Sequence, residues 1–408
     1  MPRDRSDQPG RFVPNRRQFL LGGAVAGLGA AAAVGADLVL TRAGEPADTD
    51  SPALNGESVV PFYGIHQAGV DTPPQAHAVF VALDLLPTTD ADALRRMMGV
   101  VTDDAARLTQ GVPALADSEP ELALVPARLT VTFGFGPELV ARAGGTAPTW
   151  LRPLEAFGID RLEDRWSGGD LLVQIAADDA FTVAHAHRMI LKDLRSFAAV
   201  RWTQTGFRRA YGSEPAGTTM RNLFGQVDGT SNAALGSPEF DTQVWAENGW
   251  LSGGTSVVIR RTAMNLDKWD RLDRGGREQS VGRTLANGAP LTGIAEHDEP
   301  DFSAVTKIGF PVIPEFSHLR RARSDNPKER IFRRGYNYDE APANGAISDS
   351  GLIFVSYQAD VDEQFVPIQR RLDELDLLNE WTTPIGSAVF AIPPGCAKGG
   401  YIGSTLLG

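Results

Sequence analysis

The chain has 408 residues, 42% of them hydrophobic, which is enough to bury a large core and to build two domains. Its formal net charge of −12 argues against nucleic acid or an anionic membrane as the main partner, because both call for basic surface. A lone cysteine, Cys396, excludes intramolecular disulfides, Cys-rich zinc sites and cysteine-ligated iron–sulfur clusters. The six histidines (His66, His77, His185, His187, His297 and His318) are left as the main candidates for a metal ligand.

Residues 1–36 read as a targeting segment rather than as fold. Basic residues precede Asn15-Arg16-Arg17-Gln18-Phe19-Leu20, a weakly apolar Ala/Gly run follows, and Val34-Gly35-Ala36 has the form of a cleavage site. Adjacent arginines before a mild apolar run resemble a twin-arginine export signal, which carries proteins already folded and loaded with cofactor. This predicts a periplasmic or extracellular protein. An uncleaved anchor or a disordered tail is the alternative, and the run is short and Gly/Ala-rich for a membrane span. Residues 37–59, rich in Ala, Thr, Pro, Ser and Gly, read as a linker.

Beyond Val60 the pattern alternates strand and helix. Ala78–Leu86 is a half-buried strand, and Thr88 and Thr89 can cap a helix with Leu94, Met97, Met98 and Val101 on one face. Arg128–Gly136 is a second strand, Pro137–Arg142 a short helix, and Leu171–Ala176 a third strand. Asp178-Asp179 start a helix with Val183, His187, Ile190, Leu194 and Phe197 on its stripe, and Ala199–Phe207 is a fourth strand. A second round follows: strand Thr255–Thr262, helix Leu266–Leu272, strand Gly351–Tyr357, helix Val361–Leu375 and strand Ser387–Ile392, with a long polar loop from Asp273 to Pro300. The expected class is α+β: two ferredoxin-like domains with antiparallel β-sheets, residues 60–214 and 215–408, parted at the Gly/Pro-rich stretch near Tyr211–Gly217.

The chemistry-bearing residues fall in the second domain. In Phe224-Gly225-Gln226-Val227-Asp228-Gly229-Thr230 one acid stands between two glycines. Such a pattern most often makes a turn, but glycines also let backbone approach a flat cofactor while the acid points at an axial ligand. His318 lies in a basic run with Arg320, Arg321 and Arg323, either an ordinary solvated face or an imidazole ligand flanked by cations suited to carboxylates. Asp360, Asp362 and Glu363 are near-equal candidates for the acceptor that would fix the imidazole's other nitrogen. Arg333 and Arg334, if on a strand, point to opposite faces, so one can enter a cavity while Arg334 stays wet or pairs with an acid; alternation alone does not settle which one enters. His187 reads as a packed core histidine. His185-Ala186-His187 has the spacing of copper ligands, but a helix turns those side chains about 200° apart.

Gly225-x-x-Asp228-Gly229, His318 and Arg333-Arg334-Gly335-Tyr336 resemble the signature of dye-decolorising haem peroxidases. The likeness lies with the exported bacterial branch that includes the deferrochelatase/peroxidase of iron uptake. Segments Pro61–Gly69, Asp170–Ile175, Met264–Asp270 and Gly351–Gln358 extend it over nearly the whole mature chain. The resemblance implies one haem b per chain, bound mainly in the C-terminal domain, with His318 as iron ligand, Asp228 as distal acid and Arg333 as distal arginine. It puts Gly229, Thr230, Ser231, Arg260, Arg320, Arg323 and Arg333 in reach of the haem edge or propionates. The chain departs from the family after His318, where it reads Ala322-Arg323-Ser324-Asp325-Asn326-Pro327-Lys328. The implied activity is reduction of hydrogen peroxide with one-electron oxidation of bulky aromatic donors. The alternative is release of iron from haem with the porphyrin intact. Implied partners are the twin-arginine export machinery, a second copy of the chain and iron-uptake proteins. A carboxylate base in place of an imidazole implies work on the acid side of neutral. A copper oxidase would need several His-x-His and Cys-His groups that the sequence does not contain.

Overall fold

The computed structural model describes residues 54–342, 346 and 348–408; the expected export signal and most of the expected linker lie outside the described residues. Leu54–Gly408 form one compact unit. The end of the expected linker is already anchored: Asn55 Nδ2 donates to Asp178 at 3.2 Å, and Arg128 N to Ser58 O at 2.7 Å.

The first half runs β1 (His77–Leu85), α1 (Ala91–Leu108), β2 (Thr130–Phe135), α2 (Pro137–Arg142), β3 (Leu171–Ala177), α3 (Ala180–Leu194) and β4 (Ala198–Phe207). Its strands pair antiparallel in the order β2-β3-β1-β4, the ferredoxin-like arrangement. The cap of α1 is Asp90, whose Oδ1 accepts from Ala93 N at 2.8 Å, while the expected cap Thr89 turns its hydroxyl to Phe197 O at 2.6 Å. Val79, Val81, Val131, Phe133, Val173 and Ile175 on one face of this sheet are covered by Leu94, Met97, Val183 and Ile190 of α1 and α3. His185, not His187, is the buried histidine of α3 and meets Asp117 at 2.8 Å; His187 is half-buried, and burial holds its pKa below the ordinary value.

The second half contains α4 (Pro238–Val244), β5 (Thr255–Met264), α5 (Leu266–Trp269), α6 (Arg274–Val281), α7 (His318–Ala322), β6 (Phe332–Arg333), β7 (Tyr336–Glu340), β8 (Asp349–Gln358), α8 (Val366–Leu375), β9 (Thr382–Ile392) and α9 (Ser404–Leu407). Strands β9, β5, β8 and β7 repeat the same antiparallel order. The expected loop from Asp273 onward opens with α6, capped by Asp273 through Gly276 N at 2.7 Å; the pair Gly275-Gly276 conceals this helix in the sequence. Single bridges, Phe135 to Ala391 and Phe207 to Asn337, join the two sheets edge to edge. Phe80, Trp202, Val257, Ile259, Tyr336, Tyr338, Val355, Tyr357 and Phe390 fill the space between the sheets.

The α1–α3 contact carries a pH-sensitive feature. Asp193 on α3 buries one carboxyl oxygen without a partner beside the buried Asp104 of α1. Burial and the Asp104 carboxylate push Asp193 up to about 7, against the opposing pull of Lys192 and Arg195. A carboxyl whose folded pKa is raised keeps a proton that the unfolded chain has released. Stability therefore falls as pH rises from about 4 towards 7. Asp193→Asn retains a donor with no proton to lose, so the fall in Tm between those pH values should shrink by about 1–3 °C. Parallel Tm–pH curves for the two proteins would refute the assignment.

Candidate functional site

A tight hairpin presents Asp228. Arg221 and Val227 bridge, Asn222 N donates to Gln226 O at 3.0 Å, and Asn222 Oδ1 accepts from the amides of Phe224 (3.1 Å) and Gln226 (3.3 Å). Gly225 takes φ +81° at the turn, a conformation a side chain would strain. Below it, Phe224 packs on Trp269 with ring centroids 4.4 Å apart, so the hairpin rests on an aromatic base. Asp228 Oδ1 accepts from Arg333 Nη1 at 2.7 Å, whereas Oδ2 has only the long contact to Asn222 Nδ2 at 3.4 Å and can take a further donor.

Strand register decides which arginine enters the site. Phe332 pairs with Tyr357 and Tyr336 with Ile353, so β6 and β7 lie in one continuous register along β8. Phe332, Tyr336 and Tyr338 point between the sheets, which sends Arg334 there and Arg333 to the opposite face. The expectation that Arg334 stays wet or meets an acid is corrected: it is fully buried. It donates to the carbonyls of Thr72 and Val70 and, at 2.7 Å, to Gln75 Oε1. Loop carbonyls and an amide take the place of a counter-ion.

His318 opens the short helix α7. Its Nδ1 lies 2.6 Å from Asp376 Oδ2, and Asp376 Oδ1 accepts from Leu378 N at 3.0 Å, which fixes the carboxylate in the turn after α8. Asp376 replaces the three acids expected from sequence. Asp360 instead caps the turn at Glu363 N (3.0 Å), and Asp362 pairs with Arg152 (2.9 Å). Burial disfavours the charged imidazole, but the Asp376 carboxylate more than offsets it and holds the His318 pKa above the ordinary value. Arg333 and Asp228 add opposing contributions, which places both within electrostatic reach of the ring.

The remaining expected contacts are spread more widely. Gly229 takes φ +131°, Thr230 donates to Glu296 at 2.9 Å, and Ser231 is exposed. Arg320 donates to Phe302 O (3.1 Å) and Ile313 O (3.2 Å), and Arg323 pairs with Glu299. Arg260 projects from the outer face of β5 but is buried against Asp160, with one guanidinium nitrogen unpartnered; burial lowers its pKa. Among the described residues no group of three or more His, Cys, Asp or Glu side chains is arranged to hold a metal ion, so the multi-ligand sites of a copper oxidase are not formed there. A surface pocket beside Trp150 has its charges paired internally, Arg152 with Asp362 and Arg370 with Glu155.

This donor set fits a haem. One imidazole is oriented through Nδ1, its Nε2 has no hydrogen-bond partner among the described residues, and its side chain is 33% exposed although the acid behind it is 3% exposed. A carboxylate–guanidinium pair, 20% and 24% exposed, stands within electrostatic reach.

Two family models match the chain, "Dyp-type peroxidase, N-terminal" over residues 67–208 and "Dyp-type peroxidase, C-terminal" over residues 219–397. A dye-decolorizing peroxidase of Thermobifida fusca is 37% identical, covering 96% of this chain and 97% of the relative. A deferrochelatase of Yersinia pestis is 35% identical, covering 97% and 95%. A crystal structure of a DyP-type peroxidase from Cellulomonas bogoriensis superposes with a TM-score of 0.84 at 57% identity, covering 87% of this chain and 99% of that one.

The His318–Asp376 pair gives a spectroscopic prediction. His318→Ala should fail to give a stable Soret band with added haemin. Asp376→Asn should keep haem but move the ferric/ferrous potential to more positive values, because a neutral amide no longer makes the imidazole electron-rich. An unchanged spectrum in the first variant or an unchanged potential in the second would remove the respective role.

Proposed function

The chain belongs to the DyP-type haem peroxidase family, oxidoreductases that act on peroxide, and on that premise we propose that Asp228 and Arg333 handle peroxide while His318 holds the iron. What supports the assignment is one observation: the Asp228 carboxylate meets a guanidinium at 2.7 Å, within electrostatic reach of an imidazole oriented by a buried acid. Bound haem supplies what no side chain has, an iron that takes peroxide as ligand and exchanges electrons. Asp228 would take a peroxide proton on Oδ2, the oxygen not committed to Arg333, and return it to the oxygen that departs as water, with bound haem supplying the two electrons that the cleavage needs. Arg333 stabilises the negative charge that develops between the oxygens and holds the Asp228 carboxylate in place through their ion pair. Aromatic donors then deliver two electrons in single steps. The alternative activity, release of iron with the porphyrin intact, draws support from relatives named deferrochelatase at 34–35% identity.

The reading extends to export. Arg16-Arg17 before the Ala/Gly run support twin-arginine transport of the folded, haem-loaded protein to a periplasmic or extracellular location. Iron-uptake proteins and a second copy of this chain are the further partners in this reading.

Three experiments test it. In stopped flow, Asp228→Asn and Arg333→Leu should keep the resting Soret band but react with hydrogen peroxide about 10²–10⁴-fold more slowly; a normal rate in either variant removes that residue from the assignment. Dye bleaching and metal-free porphyrin fluorescence, followed in the same wild-type samples, separate peroxidase from iron release, and fluorescence without bleaching would favour the alternative. Arg16→Lys with Arg17→Lys should trap the full-length protein in the cytoplasm; undiminished export would exclude the twin-arginine route.

A further inference from the structure

We propose that Asn232 is a positioning residue that sets where the Arg333 guanidinium stands relative to Asp228. The inference rests on the roles given above to Asp228 and Arg333. Its starting point is an edge. Arg334 N donates to Val355 O at 2.8 Å, so the next residue back along β6, Arg333, turns its own N–H and C=O away from β8. Backbone groups on an open strand edge require partners. Here one side chain supplies both: Arg333 N donates to Asn232 Oδ1 at 2.9 Å, and Asn232 Nδ2 donates to Arg333 O at 2.7 Å. A carboxamide carries one acceptor and one donor group side by side, so it matches the N–H and C=O of a single residue as a neighbouring strand would.

Asn232 lies four residues after Asp228. A turn closed by Asn232 N to Gly229 O at 2.9 Å brings its side chain back to the strand, and Gly229 supports that turn with φ +131°. A ring results: Asp228, the turn, the Asn232 amide, the Arg333 backbone, the guanidinium, and back to Asp228 Oδ1 at 2.7 Å. The acid and its cation belong to distant parts of the sequence, yet the ring makes them one unit whose spacing depends on the carboxamide. Alanine at 232 would release the Arg333 backbone from the loop that carries the acid while removing no group that touches peroxide.

The test compares haem-loaded wild type, Asn232→Ala, Arg333→Leu and the double variant in stopped-flow reaction with hydrogen peroxide, followed at the Soret band. Asn232→Ala should bind haem stoichiometrically with an unaltered resting spectrum and react about 10- to 100-fold more slowly. In the Arg333→Leu background the same change should cost less than about twofold, because no guanidinium remains to be misplaced. A wild-type rate in Asn232→Ala overturns the proposal. An equal loss in both backgrounds overturns it as well, since that is the behaviour of a loop merely loosened. If Asn232→Ala loads haem poorly, Asn232→Ser, which can keep one of the two bonds, carries the same comparison. A wild-type rate in Arg333→Leu alone would sink the role given to Arg333 itself, an outcome distinct from failure of the clamp.

Discussion

The register of the strand from Phe332 to Glu340 along β8 is the constraint on which the site depends. A shift by one residue would exchange the faces of Arg333 and Arg334, bringing a guanidinium out of the core and burying the one that meets Asp228. Side chains on both sides of the sheet oppose such a slip. Inward, Phe332, Tyr336 and Tyr338 fill the space between the sheets, where a large side chain contributes about 1.5–3 kcal/mol on burial. Outward, Asn232 fits only the backbone groups of Arg333. Arg334 adds a third hold, because a fully buried guanidinium whose terminal nitrogens donate to Thr72, Val70 and Gln75 cannot leave those partners without costing several kcal/mol.

The two halves share a topology but are used differently. In the first, both sheet faces are apolar and covered, one by α1 and α3 and the other by the second sheet. In the second, the outer face carries Arg260, Arg333 and Ser356 among its apolar residues, and the polar members need partners that helices of leucine and valine could not supply. The hairpin of Asp228 supplies such a partner to Arg333, and Asp160 supplies one to Arg260. The inward arginines are held differently from one another: Arg334 meets carbonyls and an amide, while Arg261 lies 3.7 Å from the Tyr338 ring centroid and pairs with Glu340 at 2.9 Å. On the outer side, Arg333 and Arg260 meet the carboxylates of Asp228 and Asp160.

Much of the fold was legible in the sequence because alternation and helical spacing report burial directly. The strands beginning near His77, Thr130, Leu171, Ala198 and Thr255 fall within two residues of their expected starts. Short elements with glycine or charge were concealed: α6 behind Gly275-Gly276, and α7 inside the basic run that begins at His318. The resemblance named Asp228, Arg333 and His318, but their supporting groups follow from geometry. Asp376 sits 58 residues beyond His318 and reaches it only because the turn after α8 lies against α7, a contact that no local pattern encodes. Asp360, Asp362 and Glu363 were plausible by charge alone, and each lies at the opposite end of the helical segment from the turn that holds Asp376. Register likewise needs the partner strand, so the choice between Arg333 and Arg334 could not come from one strand read in isolation.

A peroxidase and an iron-releasing activity would draw on the same imidazole, acid and guanidinium, so the identity of these three groups does not separate them. Proton placement does. Cleaving the bond between two peroxide oxygens asks one carboxylate to carry a proton across a short gap, which suits Asp228 with one oxygen bound to Arg333 and the other lightly held. Removing iron from a porphyrin asks for protons on the ring nitrogens, which no single carboxylate held by a guanidinium is arranged to supply in number. If His318 holds the iron as proposed, the buried Asp376 would strengthen the imidazole as a donor and so oppose loss of the metal. Under the proposed roles, both features would favour chemistry at an iron that stays in place.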